Sequence, residues 1–313
     1  MKAHFLQRVK CWITVLGIFQ LSNSAFSSSM PAGAVQGIAE EFGYPASSPV
    51  LSLPISMFIA GYVVGPLFLS PLSEFFGRKK LTIFPLLMYN VWTLACAVAP
   101  NMPALAVFRF MSGIAASAPA SITGGISADI WGDPVARGKC RCACFVFEKR
   151  KKKKKIGIVL TTFYLIGICI LCATSMIGPT LAPMVSGFVS PTYLTWRFCF
   201  WILLIIGNLI LIPQLWLLPE TFGPTLLVQK AKKLRGETGD NTFAAPAELD
   251  DRSIKRVFIV AMTRPLEMLF TEAIVGCVSL YLAFVYGTFY MTFQSYPIIF
   301  QGKFCVYEYI LLL

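Results

Sequence analysis

The sequence predicts an all-α polytopic membrane protein, from its composition, the length of its apolar runs and the placement of its basic residues. Of 313 residues, 56% are hydrophobic and 13% charged, with a mean hydropathy of +0.69, whereas a soluble domain carries about 25% charged residues. The apolar residues fall in successive runs of about 20, the number a helix needs to cross the bilayer hydrocarbon. The formal net charge is +12, so the position of the Lys and Arg residues decides whether that charge serves nucleic acid, lipid or topology.

In chain order, the first span is expected over residues 9–30, interrupted by Gln20, Ser22, Asn23, Ser24 and Ser27. Polar positions inside a bilayer face a cavity or the bundle interior, not lipid. Clearer runs follow at 50–72, 81–99, 103–128 and 198–218, with a fifth span before residue 198 and a seventh over about 268–293. Between Pro219 and Pro265 the hydropathy collapses into a polar segment containing KAKKLRGETGD, read as a linker between membrane halves. In the fourth span Gly113, Ser117, Ser121 and Gly125 recur every four residues, as do Gly61 and Gly65 in the second. Such stripes let helix backbones approach closely, and a rocking transport path would use the same closeness.

Of the 27 Lys and Arg residues, 24 lie in the tail before the first span, the loops after the second and fourth, and the central linker. The alternate loops hold Glu40 and Glu41 and, before the sixth span, only Arg197. Basic residues stay on the cytoplasmic side, so the amino terminus and the linker are expected there. The charge is topological, and no nucleic-acid partner is expected.

Composition also removes much chemistry. The only histidine is His4, in the amino-terminal tail, so no Ser-His-Asp triad or histidine metal site can be assembled. The ten cysteines lack the two adjacent CxxC pairs that zinc prefers. No nucleophile, base and orienting group converge, so an enzyme is not expected, nor is a metal or cofactor. The first apolar stretch leads directly into further spans, unlike a cleaved signal peptide.

The loop joining the second and third spans reads GPLFLSPLSEFFGRKK over residues 65–80. Gly65 opens it, Glu74 stands three residues before Gly77, and Arg78, Lys79 and Lys80 follow at the membrane face. An acid at a helix end, beside a glycine turn and a basic cluster, forms a charge-paired latch. The same arrangement also serves as a plain positive-inside anchor. Arg109, within the fourth span, costs at least roughly 2.5 to 3.5 kcal/mol to place in lipid, so it faces the bundle interior. A structural arginine bonded to backbone carbonyls is one reading of it. In the fifth span Gly178, Pro179, Pro183 and Gly187 predict a kinked helix with one closely packed face. In the seventh, Glu272 with Tyr281, Tyr286, Tyr290 and Phe293 offers polar tips beside rings. With Gln20 and Asn23 these form a candidate substrate cavity, and the outermost rings also suit an interfacial belt.

The loop PLSEFFGRK resembles the signature between the second and third helices of major facilitator superfamily transporters, in the form of the fungal twelve-span drug:proton antiporters. It departs from the general pattern at Ser70 (usually glycine), Glu74 (aspartate) and Phe75 (arginine). LAVFRFMSGIAASAP, with Arg109 and Gly113, is similar to the fourth-helix signature, and IGPTLAPMVSGFV to the antiporter signature of the fifth helix. There Ala182 takes a position often held by glycine, which leaves a sugar or nutrient facilitator as an alternative. TWRFCFWI, LPETFGPTLL and RPLEMLFTEAIVGCVSLYLAFVYG continue the likeness in order. The resemblance implies a major facilitator fold, exchange of a small-molecule substrate and protons across a lipid bilayer by alternating access, and the plasma membrane as location. It assigns gating to Gly65, Glu74, Gly77, Arg78 and Lys79. It assigns proton coupling to Arg109 and Gly113, where a fixed positive charge shifts a neighbouring acid. Leak control falls to the fifth-helix Gly178, Pro179, Pro183 and Gly187.

Two places depart from that pattern. The apolar run over 156–189 has 34 residues, too long for one span of about 20 and too short for two with a turn. Removing residues 148–172, which include the lysine run, restores a normal fifth span. That segment is therefore read as an insertion, plausibly a translated intron, with a polybasic lipid-binding stretch as the alternative. After residue 301 the likeness ends. The expected organisation is a six-helix half over 1–218, a cytoplasmic linker over 219–265, and the start of a truncated second half over 266–313. A non-transporting remnant that binds a partner is the rival reading.

Overall fold

The structure, a computed structural model, describes residues 7–45, 48–130, 177–190, 195–238, 245 and 254–302. The suspected insertion and the tail beyond 302 lie outside the described residues. Helices α1 (Gln7–Ser29), α2 (Val35–Phe42), α3 (Leu53–Phe76), α4 (Arg78–Ala97), α5 (Met102–Ala116) and α6 (Ala118–Ile130) come first. They are followed by α7 (Ile177–Val189) and by α8 (Arg197–Leu217), α9 (Gly223–Thr238), α10 (Ile254–Thr271) and α11 (Ala273–Gly302). Among the described residues there is no strand. Five stretches are long and apolar enough to cross a membrane: Pro49–Ser73, Arg78–Ala97, Met102–Thr123, Arg197–Leu217 and Ala273–Thr292.

Helix α1 is less apolar than these, and the reason lies in its packing. Gln20, Asn23, Ser24, Ser27, Ser28 and Ser29 are all buried against protein, and the amide of Gln20 and the serine hydroxyls find partners there that lipid would deny them. Sequence reading and structure agree on this face. The expected fourth span is broken at Ser117 into α5 and α6. Pro119 lacks the N–H that would continue the ladder to Ala115, and the hydroxyl of Ser24 donates to the neighbouring Ala116 carbonyl at 2.7 Å. At the other end of α5, Asn101 caps the helix by accepting from the Ala104 N–H at 3.0 Å, with Pro103 in the first turn.

The small-residue stripes are a packing surface. Gly61 and Gly65 of α3 lie against Phe110, Ile114 and Ser117 of α5, and Gly113 lies against the backbone of Phe58, so closely that no Cβ fits at any of the three glycines. The core has three storeys. Ile13, Leu81, Ile122, Ile126 and Leu218 pack at the end that carries Gly77. Phe58, Leu86, Tyr89 and Ile210 fill the middle, and Met30, Ile38, Leu51, Met102, Trp196, Phe200 and Leu203 pack at the opposite end. Outward-facing Trp216 on α8 is 86% exposed, as a side chain turned toward lipid is.

One boundary is corrected. The seventh span was expected from residue 268, but Met268 belongs to α10 and the apolar helix α11 starts at Ala273. The exposed Glu272 stands at the junction, because a carboxylate is disfavoured within hydrocarbon and falls at its edge. The described residues of the polar segment after α8 are mostly helical, as α9 and the first part of α10.

Candidate functional site

The predicted gating loop forms a tight joint between α3 and α4. Gly77 links them with φ +87° and ψ 156°, a region essentially confined to glycine. The Arg78 and Lys79 backbone N–H groups, which open α4, donate to the two oxygens of Glu220 at 3.0 and 3.4 Å. Glu220 also accepts from the N–H groups of Thr221 and Phe222, each at 3.0 Å. The first N–H groups of a helix have no partner inside it, and an anion there meets the positive end of the helix dipole. Arg78 completes the joint: its guanidinium lies over the Phe222 ring, 5.5 Å from the centroid, and against Gly125 of α6, where no Cβ fits.

The latch was expected to use Glu74, whose side chain lies outside the described residues. The acid that binds the loop is Glu220, from the LPETFGP stretch 142 residues further along. In the sequence that stretch stands out only through its likeness to the family. A carboxylate that accepts from backbone leaves no complementary side chain to find. Gly65 is not in the joint; it sits higher in α3, against Ser117.

Arg109 is 1% exposed. Its Nε donates to the Pro54 carbonyl at 3.1 Å, Nη2 to the Ser27 carbonyl at 2.7 Å and Nη1 to the Ser27 hydroxyl at 3.3 Å. The guanidinium lies over Phe58, 4.6 Å from the ring centroid, and 5.5 Å from that of Phe200. Carbonyl dipoles and ring faces thus replace water around the charge. Among the described residues no carboxylate pairs with it. The arrangement is that of the structural reading, with Gly113 one turn away serving the α3 contact.

Helix α7 packs on α1 through its glycine and prolines. Gly178 rests on Ala25 and Phe26. Pro183 has no N–H for the Pro179 carbonyl one turn earlier, and the Ser29 hydroxyl fills that acceptor at 2.8 Å. Gly187 lies beside Gly33 of the turn after α1.

Of the candidate cavity residues, Gln20 and Asn23 lie together, and Glu272, Tyr281 and Tyr286 lie apart from them. Gln20 donates to the Thr82 carbonyl at 3.3 Å and accepts from Gln214 at 2.8 Å. Asn23 and Gln20 border, with Ser24, Tyr89 and Pro119, a space of about 10 Å³, room for about one water and far below the roughly 300 to 1,000 Å³ of drug-sized sites. Tyr281 and Tyr286 are 67% and 45% exposed on α11, and Glu272 is exposed below them. Gln20 and Asn23 therefore belong to a polar seam inside the bundle. Among the described side chains of α11, Phe289 and Tyr290 pack on the half, against Ala32, Ile55 and Ile59.

At the end opposite Gly77, Glu41 accepts from the Trp196 indole N–H and from Arg197. Arg197 also donates to the Ala97 and Ala99 carbonyls, each at 3.0 Å. The guanidinium holds the Glu41 carboxyl below its ordinary range.

Comparison with known proteins agrees with this architecture. The profile of the Major Facilitator Superfamily matches residues 17–139. The transporter paaT of Penicillium rubens is 32% identical over 293 residues, covering 94% of this chain and 48% of that protein. The chain belongs to the major facilitator superfamily. An uncharacterized MFS-type transporter of Schizosaccharomyces pombe is also 32% identical, over 94% of this chain and 48% of its own. The citrinin biosynthesis cluster MFS transporter of Monascus ruber is 31% identical, over 88% and 49%. The chain spans about half the length of these curated relatives. It is a multi-pass membrane protein, and the relatives are named as transporters.

Proposed function

We propose that this chain is the amino-terminal half, central linker and first second-half helix of an exporter of small organic molecules, driven by proton exchange through alternating access. The observation that carries this reading is the Glu220 joint. A glycine-hinged loop with the superfamily's signature is held shut by one carboxylate, as a gate at a membrane face requires. A relative named for a citrinin biosynthesis cluster supports a fungal small-molecule product as cargo. The amino terminus and linker lie in the cytoplasm, the plasma membrane is the location, and the bilayer is the only other partner. Residues 1–218, 219–265 and 266–313 are the half, the linker and the start of the second half.

The test is uptake by the purified chain in vesicles carrying an imposed pH gradient, with a fluorescent planar dye as probe. Accumulation that collapses with a protonophore and with Gly77→Ala supports the proposal. No accumulation overturns it for this polypeptide, and accumulation indifferent to the gradient favours a facilitator. The exposure of most of α11, whose candidate span holds no fully buried residue, favours a second reading, in which the chain pairs with an intact transporter. Copurification with a full-length relative, without uptake, would select it.

A further inference from the structure

Arg109 makes its three hydrogen bonds to two residues, Ser27 near the end of α1 and Pro54 near the start of α3. The next residue after each of these touches α11. Ser28 accepts a hydrogen bond from the Tyr290 hydroxyl at 2.9 Å, and Ile55 is buried beneath Phe289 and Tyr290 together with Ala32. The seat on which α11 rests is therefore assembled from the neighbours of the two residues that Arg109 ties together. The charge itself is buried and stands apart from solvent.

We propose that Ser28 and Ile55 form the docking seat for the second half of the transporter at the face opposite Gly77, and that Arg109 is its positioning residue. The inference rests on the transport reading for its purpose, since rocking of two halves must break and remake a contact of this kind. The contact itself does not depend on transport. Chain direction agrees with the placement. Residues leaving a linker on the Gly77 side run up α11 at 1.5 Å each, so Tyr290, 17 residues past Ala273, stands roughly 26 Å above the start, near the far face of a bilayer of about 30 Å. The seat also explains a fully buried arginine with no acid beside it among the described residues. Its rigid fork reaches two helix ends at once, which a lysine's single ammonium does less well.

The experiment places cysteines at both partners, S28C and Y290C, in the full chain in lipid nanodiscs. A short bismaleimide is added, and the joined peptides are measured by mass spectrometry so that native cysteines do not confuse the signal. The expected result is a 28–290 linkage that falls roughly tenfold when R109Q is added, the weight of one or two charge-assisted hydrogen bonds, and is partly restored by R109K. Absence of the linkage with Arg109 intact overturns the seat. An unchanged linkage in a folded R109Q chain overturns the positioning role. Should R109Q not fold, R109K decides in its place: a partial loss supports the role and no loss refutes it. If the linkage and its dependence on Arg109 hold while the vesicle assay shows no uptake, the seat stands and the transport reading fails.

Discussion

The two ends of α4 are gripped by the two flanks of α8, with opposite charges. At the Gly77 end the carboxylate of Glu220, just after α8, accepts from the first N–H groups of α4. At the other end Arg197, the first residue of α8, donates to the last carbonyls after α4. An anion at the amino end and a cation at the carboxyl end both suit the helix dipole. The two grips differ in what surrounds them. Glu220 sits against a glycine turn whose backbone disfavours any side chain and, among the described residues, accepts from backbone N–H groups. Arg197 and Glu41 have 27% and 38% of their side chains exposed, so their ion pair is solvated. The first joint depends on shape, the second on charge, and a gate is better built from the first, because a hinge must be held at one geometry and released as a unit.

The largest expected effect tests the shape argument. Gly77→Ala puts a methyl 2.5 Å from a Glu220 oxygen on a backbone conformation that costs about 1 to 3 kcal/mol for any other residue. A loss of roughly 3 kcal/mol is expected with the clash included, read as a lowered melting midpoint in detergent. Next comes Glu220→Ala, which orphans helix N–H groups and should cost about 2 kcal/mol, as the loss of a strong N-cap does. Glu220→Gln keeps one acceptor oxygen and should lose about half of that. If Gln and Ala are equally damaging, charge rather than acceptor geometry holds the joint, and the contrast with Arg197 fails.

Arg197→Met is expected to be milder, about 1 to 1.5 kcal/mol, because the Ala97 and Ala99 carbonyls near the membrane surface can turn to water. In the same melting assay, a loss equal to that of Glu220→Ala would erase the distinction between the two ends.

The membrane-length helices were legible because run length and hydropathy report on lipid directly, and even the weak α1 was legible through its serines and amides, whereas the helices of the polar segment carry no such signal. The partners were not. Arg109 and Glu220 bind carbonyl and N–H groups that every residue carries, so nothing in the sequence marks Pro54 or Ser27 as acceptors. Ser28 and Tyr290 meet across 262 positions, a pairing that only the fold creates. Of the tyrosines grouped for a cavity, Tyr281 and Tyr286 lie on the exposed length of α11, while Tyr290 makes the contact. Position along the helix axis separates them, and aromatic content is blind to that.

The smallest expected effect concerns protons at the Trp196 end. The carboxyl of Glu41 titrates below its ordinary value near 4.5, chiefly because Arg197 bonds to its charged form, against a smaller opposing effect of burial. The folded state therefore binds this proton less readily than the unfolded chain does. Its stabilisation is fully present above about pH 5 and fades as the pH falls through the lowered value. For a partly exposed pair that contribution is about 0.5 to 1 kcal/mol. Melting midpoints of the native chain and of Glu41→Gln, taken from pH 7 down to pH 3, should start apart and converge at the acid end. Added salt should also narrow the gap at pH 7, because solvated pairs are screened. Arg78 N–H and Glu220 are in shape-limited contact, so the same salt should leave the Glu220→Ala difference largely intact. A gap for Glu41→Gln that ignores both pH and salt would mean that the indole bond to Trp196, not the ion pair, holds that end, and the two ends of α4 would then be built on the same principle.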